Sequence, residues 1–203
     1  LEADGTSIRL YGVWPNLVRT PTLPPGGIDG SLVYGGNGDL KNLQGDEISG
    51  RIVVLDYVSG SRWVTMFHLG AKAVIFLDAL GGHRKEGSQK FLDVPADLPR
   101  FYAHEDDGNQ VLELAERGAT VHLEGKMSWQ VGTGRNLVGI IEGTDPTLKK
   151  EAIFLNSHYD AMSPIPALAP GAEQACSPAS LLEIVRQFSM ERPKRTVIVV
   201  FSS

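Results

Sequence analysis

The stretch EAIFLNSHYDAMSPIPALAPGAEQACSPASLLEIVRQF, residues 151–188, decides the fold of the second half of the chain. Its opening apolar run predicts a strand, which His158 and Asp160 close. A Pro-Gly-Ala turn then leads into a predicted helix from about Ser177 to Glu191. A polar pair at the end of a strand, followed by a loop and a helix, is a common way to build a metal centre.

The segments on either side of this stretch extend it into a sheet. NLVGIIEG (136–143) predicts a strand before it, and RTVIVVF (195–201) predicts one after it. The order strand, strand, helix, strand predicts the beginning of an α/β domain with a buried sheet. Because a parallel sheet needs further strands beside it, we expect residues after Ser203 in a longer parent to complete this domain.

The first 130 residues have a different pattern, in which short strands and short helices alternate. Helices are predicted in SRWVTMFHLGAK (61–72) and EDDGNQVLELAERG (105–118), whereas TLPPGGIDG (22–30) and GGHRKEGSQK (81–90) are typical of loops. The segments predicted as strands are RIVVLDY (51–57), AVIFLD (73–78), PRFYAH (99–104) and ATVHLEG (119–125). We therefore predict a β-rich domain over residues 1–131 and an α/β sheet domain over 132–203, a mixed α/β chain overall.

Composition excludes several classes of function. The 203 residues carry a formal net charge of −5 without a block of Lys and Arg, which argues against a nucleic-acid partner. The longest apolar runs have the length of strands, so we predict no membrane-spanning segment. Cys176 is the single cysteine and has no intrachain partner for a disulfide. The chain starts at Leu1 rather than Met, and we expect it to be a processed or excised piece of a longer protein.

His158 and Asp160 have two interpretations when only the residues are considered. Side chains two apart on a strand point to the same face, so an imidazole can bind a metal while the carboxylate orients it. The alternative is a histidine and an aspartate in an ordinary turn at the end of a strand. The His-x-Asp spacing is a weak signal by itself and leaves both open.

The longer pattern resembles a known family. RNLVGIIEGTDP, HYD, the PGA turn, LLEIVRQF and PKRTVIVVF are similar to the opening part of the catalytic domain of secreted di-zinc aminopeptidases. The same family includes glutamate carboxypeptidase II and the non-enzymatic transferrin receptor. The region from GRIVVLDY to ATVHLEG resembles the protease-associated domain of many members. The resemblance implies an extracytoplasmic hydrolase that uses zinc to cleave peptide bonds at the N-terminus of peptide or protein substrates.

The resemblance assigns roles to individual positions. It makes His158 a zinc ligand and Asp160 a residue that orients the site without binding metal. In the family, two acidic residues follow the Pro-Gly-Ala turn, and the second bridges both zinc ions. Here the turn at 170–172 is followed by Glu173 and Gln174, so a glutamine stands at the bridging position.

A glutamine changes the chemistry of that position. A bridging carboxylate brings two anionic oxygens, whereas an amide brings one acceptor oxygen and an NH₂ group that repels a cation. Zinc prefers His, Cys and carboxylate ligands, so a bridge by Gln174 is not expected to hold a metal pair. Glu173 is the alternative ligand, and Cys176 is a weaker one that more often fills a small buried space.

Two classes of function remain. The family's general base is a glutamate after the strand that matches RTVIVVF, and these 203 residues contain no counterpart, so we expect the chain alone to be inactive. The leading hypothesis is a fragment of a metallo-aminopeptidase-like protein with a degenerate zinc site. The alternative is a non-catalytic binding protein that keeps the peptidase fold. An exposed sheet edge would also permit self-association.

Overall fold

The computed structural model describes residues 1–14, 23–43, 48–78, 84–91, 98–128, 130–161, 163–169 and 171–203. The chain forms two compact units. Unit 1 comprises Leu1–Trp129 with Ser163–Leu168, and unit 2 comprises Gln130–Met162 with Ala169–Ser203. In the described residues no helix is both long and apolar enough to cross a membrane.

Unit 1 is built on an eight-stranded sheet with the order β2-β1-β8-β4-β5-β6-β7-β3. The four strands from β4 to β7 lie parallel to one another, and the remaining strands pair antiparallel with their neighbours. The strands are β1 Glu2–Ala3, β2 Thr6–Ser7, β3 Tyr11–Gly12, β4 Ile28–Tyr34, β5 Ile52–Asp56, β6 Ala73–Leu77, β7 Arg100–Ala103 and β8 Thr120–Leu123.

Both faces of this sheet are covered, because side chains of β5 enter two separate core clusters. Ile52 and Val54 pack in one cluster, and Val53 and Leu55 pack in the other. Alternate side chains of a strand point to opposite faces, so a strand buried on both sides has an unbroken apolar sequence. The helices of unit 1 are α1 Trp63–His68, α2 Arg84–Ser88 and α3 Glu105–Glu116.

Most of the predicted elements of unit 1 are confirmed, with two exceptions. β5, β6, β7, β8, α1 and α3 lie where the sequence predicts them. The prediction of a loop over residues 22–30 is wrong at its end, since β4 begins at Ile28 and pairs with β8. The prediction of a solvated loop over residues 81–90 is wrong from Arg84 onward, because α2 forms there and Lys90 is fully buried.

Lys90 is buried because its surroundings satisfy the ammonium group. Its Nζ donates to the carbonyl of Gly60 at 2.8 Å and to Ser59 Oγ at 3.1 Å. The same nitrogen lies 4.8 Å from the ring centre of Phe76, and an aromatic face attracts a cation. Glu86 Oε2, at 3.5 Å, supplies a counter-charge. A lysine from a charged stretch of sequence can thus be fully buried, and the composition of that stretch does not predict this burial.

Arg100 is a second buried cation of unit 1, and backbone carbonyls satisfy it. Its guanidinium donates to the carbonyls of Lys90, Leu98 and Trp14. The group also lies 4.7 Å from the centre of the Trp63 ring. Arg100 therefore ties β7 to three other stretches of backbone within unit 1.

Unit 2 contains a three-stranded sheet and one long helix in its described residues. The elements are β9 Leu137–Ile141, β10 Ala152–His158, α4 Ala172–Met190 and β11 Thr196–Ser202. The sheet has the order β10-β11-β9, with β10 parallel to β11 and β9 antiparallel to it. Leu181 of α4 packs with Val197 and Val199 of β11 to form the centre of a small core.

The predicted strands of unit 2 are confirmed, whereas the predicted start of its helix is wrong. α4 begins at Ala172 rather than near Ser177, so Pro178 lies inside the helix instead of in its first turn. Proline lacks the N–H that would bond to the carbonyl of Gln174, four residues earlier. Gly171 precedes the helix in the left-handed conformation (φ 69°), which glycine adopts without strain.

The segment between β10 and α4 contributes to unit 1. Ile165 is buried in one of the two core clusters of that unit, and the carbonyl of Pro164 accepts a hydrogen bond from the N–H of Trp14. The two-domain division at residue 131 remains a prediction, as does the identity of unit 1 as a protease-associated domain. The mixed α/β class is confirmed.

Candidate metal centre

The candidate site lies at the carboxyl end of β10. His158 is the last residue of this strand and stands opposite Ser202 of the parallel strand β11. Carboxyl ends of parallel strands meet at one edge of a sheet, which is where α/β proteins bind ligands. The sequence placed His158 at a strand end, and the structure shows which neighbour that end acquires.

Ser202 is the direct partner of His158. Its Oγ lies 3.2 Å from Nδ1 of the imidazole. The same hydroxyl donates to Asn156 Oδ1 at 3.3 Å. Sequence reasoning missed both polar neighbours. The spacing of Asn156 and His158, two apart on a strand, could have placed Asn156 on the same face, whereas the contact with Ser202 depends on the register between the two strands.

Asp160 follows the strand and is exposed. Among the described contacts its carboxylate makes no hydrogen bond or ion pair. Tyr159 holds this turn in place, because its N–H donates to the carbonyl of Ser202 at 3.0 Å. Its hydroxyl donates to the carbonyl of Arg135 at 2.5 Å. The orienting role expected of Asp160 stays a prediction.

Gln174 lies in the first turn of α4. Its Oε1 is buried and has no hydrogen-bond partner among the described residues. A buried acceptor without a donor costs about 1–3 kcal/mol, so the folded chain pays for this arrangement. The side chain of Glu173 and the whole of Pro170 lie outside the described residues.

The described donor set does not fit a pair of zinc ions. Zinc sites in proteins use three or four His, Cys or carboxylate ligands. Over the described residues, no group of three such side chains is placed to hold a metal. His158 is a suitable single ligand, but the orphaned oxygen of Gln174 is an amide oxygen, not an anion. Cys176 is exposed, and its thiol donates to the carbonyl of Ala172.

An open groove runs beside the site within unit 2, between β10 and α4. Its volume is about 540 Å³, and Phe154, Asn156, Ser180 and Ile184 are among the residues that line it. The lining mixes apolar side chains with small polar ones.

Comparison with known proteins finds a family match in the last third of the chain. Residues 136–203 match the model of Peptidase family M28. This segment is therefore similar to that family of peptidases. The resemblance to zinc-dependent exopeptidases stated from the sequence is therefore confirmed for the part of the chain that carries the candidate site. No curated protein matches the chain as a relative.

Solved structures extend the likeness to the fold of the whole chain. A zinc aminopeptidase from Bacillus subtilis superposes in one crystal structure with a TM-score of 0.62 at 18% identity, covering 98% of this chain and 46% of that one. A second structure of the same enzyme gives a TM-score of 0.58 at 15% identity, with the same coverage of 98% and 46%. A peptidase M28 precursor from Shewanella amazonensis gives 0.54 at 14% identity, covering 99% and 49%.

These identities show a shared fold and nothing finer. The chain spans about half the length of the structures it matches. The assignments of His158 as a zinc ligand and of position 174 as the bridging position stay predictions from the sequence resemblance.

Proposed function

We propose that this chain is part of a metallo-aminopeptidase-like protein whose zinc site is degenerate. The family reaction is the zinc-dependent hydrolysis of peptide bonds at the N-terminus of a peptide or protein. The match of residues 136–203 to peptidase family M28 supports the family reaction. The observation that carries the degeneracy is Gln174, whose buried Oε1 has no partner among the described residues.

The chemistry of the amide makes the site incomplete. Two dications side by side repel each other, and a shared carboxylate offsets that repulsion with its negative charge. Gln174 supplies no charge, and only one of its two terminal atoms accepts. His158 alone supplies one neutral nitrogen. In this proposal the chain binds no zinc pair and hydrolyses no peptide.

Further parts of the proposal rest on the family resemblance. Unit 1 would be a protease-associated domain that faces peptide or protein ligands, and the protein would work in an extracytoplasmic compartment. The acidic balance of the chain, with a net charge of −5, supports peptides over nucleic acid as partners.

The experiment is a zinc measurement on matched variants. The wild-type chain, His158→Ala, Gln174→Asp and the double variant are dialysed against trace zinc, and bound zinc is measured by elemental analysis. We expect wild type to match His158→Ala, and Gln174→Asp to gain zinc that the double variant loses. Ser177→Asp is the control, because it adds a carboxylate to an exposed position of the same helix.

The outcomes separate the parts of the proposal. Near-stoichiometric zinc in wild type that is lost in His158→Ala would contradict a degenerate site. No gain in Gln174→Asp would contradict the proposal that residue 174 alone makes the site incomplete. An equal gain in Ser177→Asp would mean that any added carboxylate on α4 collects zinc.

Gln174 also favours a second candidate, a non-catalytic binding protein with a peptidase fold. Such a protein would bind a short peptide without metal, so a chelator would leave the affinity unchanged. Calorimetry with one peptide, with and without EDTA, tests this. Binding that disappears with EDTA would argue for the metallopeptidase, and metal-independent binding with no hydrolysis of an aminoacyl anilide would argue for the binding protein.

A further inference from the structure

The carboxyl end of the β10–β11 pair carries a row of three hydrogen-bonded side chains. His158 stands opposite Ser202 in the parallel register, and Asn156 lies two residues before His158 on the same face of β10. Ser202 Oγ lies 3.3 Å from Asn156 Oδ1 and 3.2 Å from His158 Nδ1, so the hydroxyl connects the other two groups.

The orientation of the Asn156 amide, with Oδ1 toward Ser202, sets the proton count of this row. A serine hydroxyl has a single proton to donate, and here it goes to Asn156 Oδ1, which only accepts. The hydroxyl oxygen must then accept from His158, so the imidazole carries its proton on Nδ1. A neutral imidazole with a proton on Nδ1 has its free lone pair on Nε2.

We propose that Ser202, held by Asn156, is a positioning residue that fixes the tautomer of His158 and leaves Nε2 as the accepting nitrogen of the site. The assignment opposes the intrinsic preference, because an unconstrained neutral histidine in water favours the proton on Nε2. It also differs from the expectation for Asp160, whose carboxylate does not contact the imidazole among the described residues. The tautomer of His158 does not depend on the proposed function. Only the identity of the ligand that would bind to Nε2 rests on it.

The arrangement has a consequence for any ligand at this strand end. A histidine that binds a cation or accepts a proton through Nε2 needs a partner that holds the proton on the opposite nitrogen. Ser202 supplies that partner from the neighbouring strand, so the ring is oriented by the sheet itself. Substitutions in the turn after β10, including at Asp160, would then leave the tautomer of His158 unchanged.

The test is nitrogen NMR of the imidazole in the metal-free chain at alkaline pH. Long-range ¹⁵N spectra distinguish the two tautomers, and His158→Gln identifies the signal. We expect wild type to show mainly the Nδ1–H form. Ser202→Ala should lower the ratio of Nδ1–H to Nε2–H by about fivefold, the value of one ordinary hydrogen bond.

Four further variants test the direction of the row. Ser202→Thr keeps the hydroxyl and Asn156→Asp keeps an acceptor, so both should retain the Nδ1–H form. Asn156→Ala leaves Ser202 free to donate to Nδ1, so it should reverse the ratio in favour of Nε2–H. Ser203→Ala is the control, because the described hydrogen bond of Ser203 uses its backbone N–H.

The tautomer measurement on His158 can be interpreted independently of the zinc measurement. An Nε2–H tautomer in wild type, or a ratio unchanged by Ser202→Ala, would overturn the inference whatever the metal content. An Nδ1–H tautomer in a chain that binds no zinc would uphold both the positioning role and the degenerate site, whereas the same tautomer in a wild-type chain with near-stoichiometric zinc would uphold the positioning role alone. Dispersed amide spectra of Ser202→Thr would show that a hydroxyl-bearing variant is folded, so its tautomer is a valid readout.

Discussion

Two apolar strands of this protein, AVIFL in unit 1 and LVGII in unit 2, differ sharply in their surroundings. Every residue of the first strand, β6, is buried, whereas four of the five residues of the second, β9, are exposed. β6 has a strand on each side and a core cluster over each face. β-branched content thus predicts a strand, while burial depends on what packs over it.

The uncovered side of unit 2 lies opposite α4. Val138, Ile140 and Phe154 are 63%, 70% and 62% exposed. Val197 and Val199, which alternate with the outward residues of β11, are almost completely buried against the helix. The small sheet therefore buries one face in the described structure, and its opposite face presents contiguous apolar side chains to solvent.

The largest expected effect tests this contrast with one residue type. Phe76 lies in β6 and is fully buried, whereas Phe154 lies in β10 and is 62% exposed. Truncation of a buried phenylalanine removes its packing and leaves a cavity, so Phe76→Ala should lower the free energy of unfolding by about 3–5 kcal/mol. Phe154→Ala should change it by about 0.5 kcal/mol or less. Urea unfolding of both variants provides the comparison.

A large loss in Phe154→Ala would break the comparison. It would mean that the outward face of unit 2 is covered in solution, for instance by self-association. Sedimentation of wild type and Phe154→Ala at two concentrations would then distinguish a monomer from a self-associated chain.

The next effect concerns the buried cation of unit 1. Burial lowers the pKa of Lys90 to about 8, and the nearby Glu86 opposes that shift only in part. The unfolded chain keeps the ordinary pKa near 10.5, so between pH 8 and 10 it binds more protons than the folded chain. Stability should therefore rise across this window, by about 2 kcal/mol.

Lys90→Met should remove that rise, because the methionine has no proton to lose. The measurement is urea unfolding at several pH values from 7 to 10. Tyr34 and Tyr57 oppose this rise only near the upper end of the window, since burial raises their pKa to about 12 and the unfolded chain ionises them near pH 10. Lys41→Met, at an exposed position, is the control and should keep the wild-type slope.

Lys90 also shows where sequence reasoning about the fold stops. β5, β6 and α3 follow from local pattern, since apolar runs and helical spacing are properties of a few neighbouring residues. The stretch around Lys90 is charged, and its burial depends on Ser59, Gly60 and Phe76, about 15–30 residues away in sequence. The membership of Ile165 in the core of unit 1 is equally non-local.

The candidate site divides in the same way. His158 at a strand end can be read from the sequence, and so can the glutamine at position 174, where the resemblance predicts a bridging carboxylate. The contact of His158 with Ser202 could not, because it depends on the register between β10 and β11. The predicted start of the helix near Ser177 is wrong because α4 begins earlier, at Ala172, in a polar stretch that local pattern assigns to the preceding loop.

The smallest predicted effect concerns the hydrogen-bond partners of the buried polar groups in each unit. The buried ammonium of Lys90 donates hydrogen bonds to acceptors on several sides. In unit 2, by contrast, Gln174 Oε1 has no hydrogen-bond donor among the described residues. Methionine has nearly the size of glutamine and an equal helix propensity. Gln174→Met removes the unpaired acceptor, so it should leave stability unchanged or raise it by up to about 1 kcal/mol in urea unfolding.

Gln187→Met is the matched control on the same helix. Gln187 is exposed and donates to Glu183 Oε1 at 2.8 Å, so its loss should cost about 0.5 kcal/mol or less. A loss of more than 1 kcal/mol in Gln174→Met would show that its amide oxygen has a donor in solution. In that case unit 2 satisfies its buried polar groups as unit 1 does, and Gln174 is a working part of the site. A gain in stability would instead show that the buried amide oxygen of Gln174 has no donor in the folded chain.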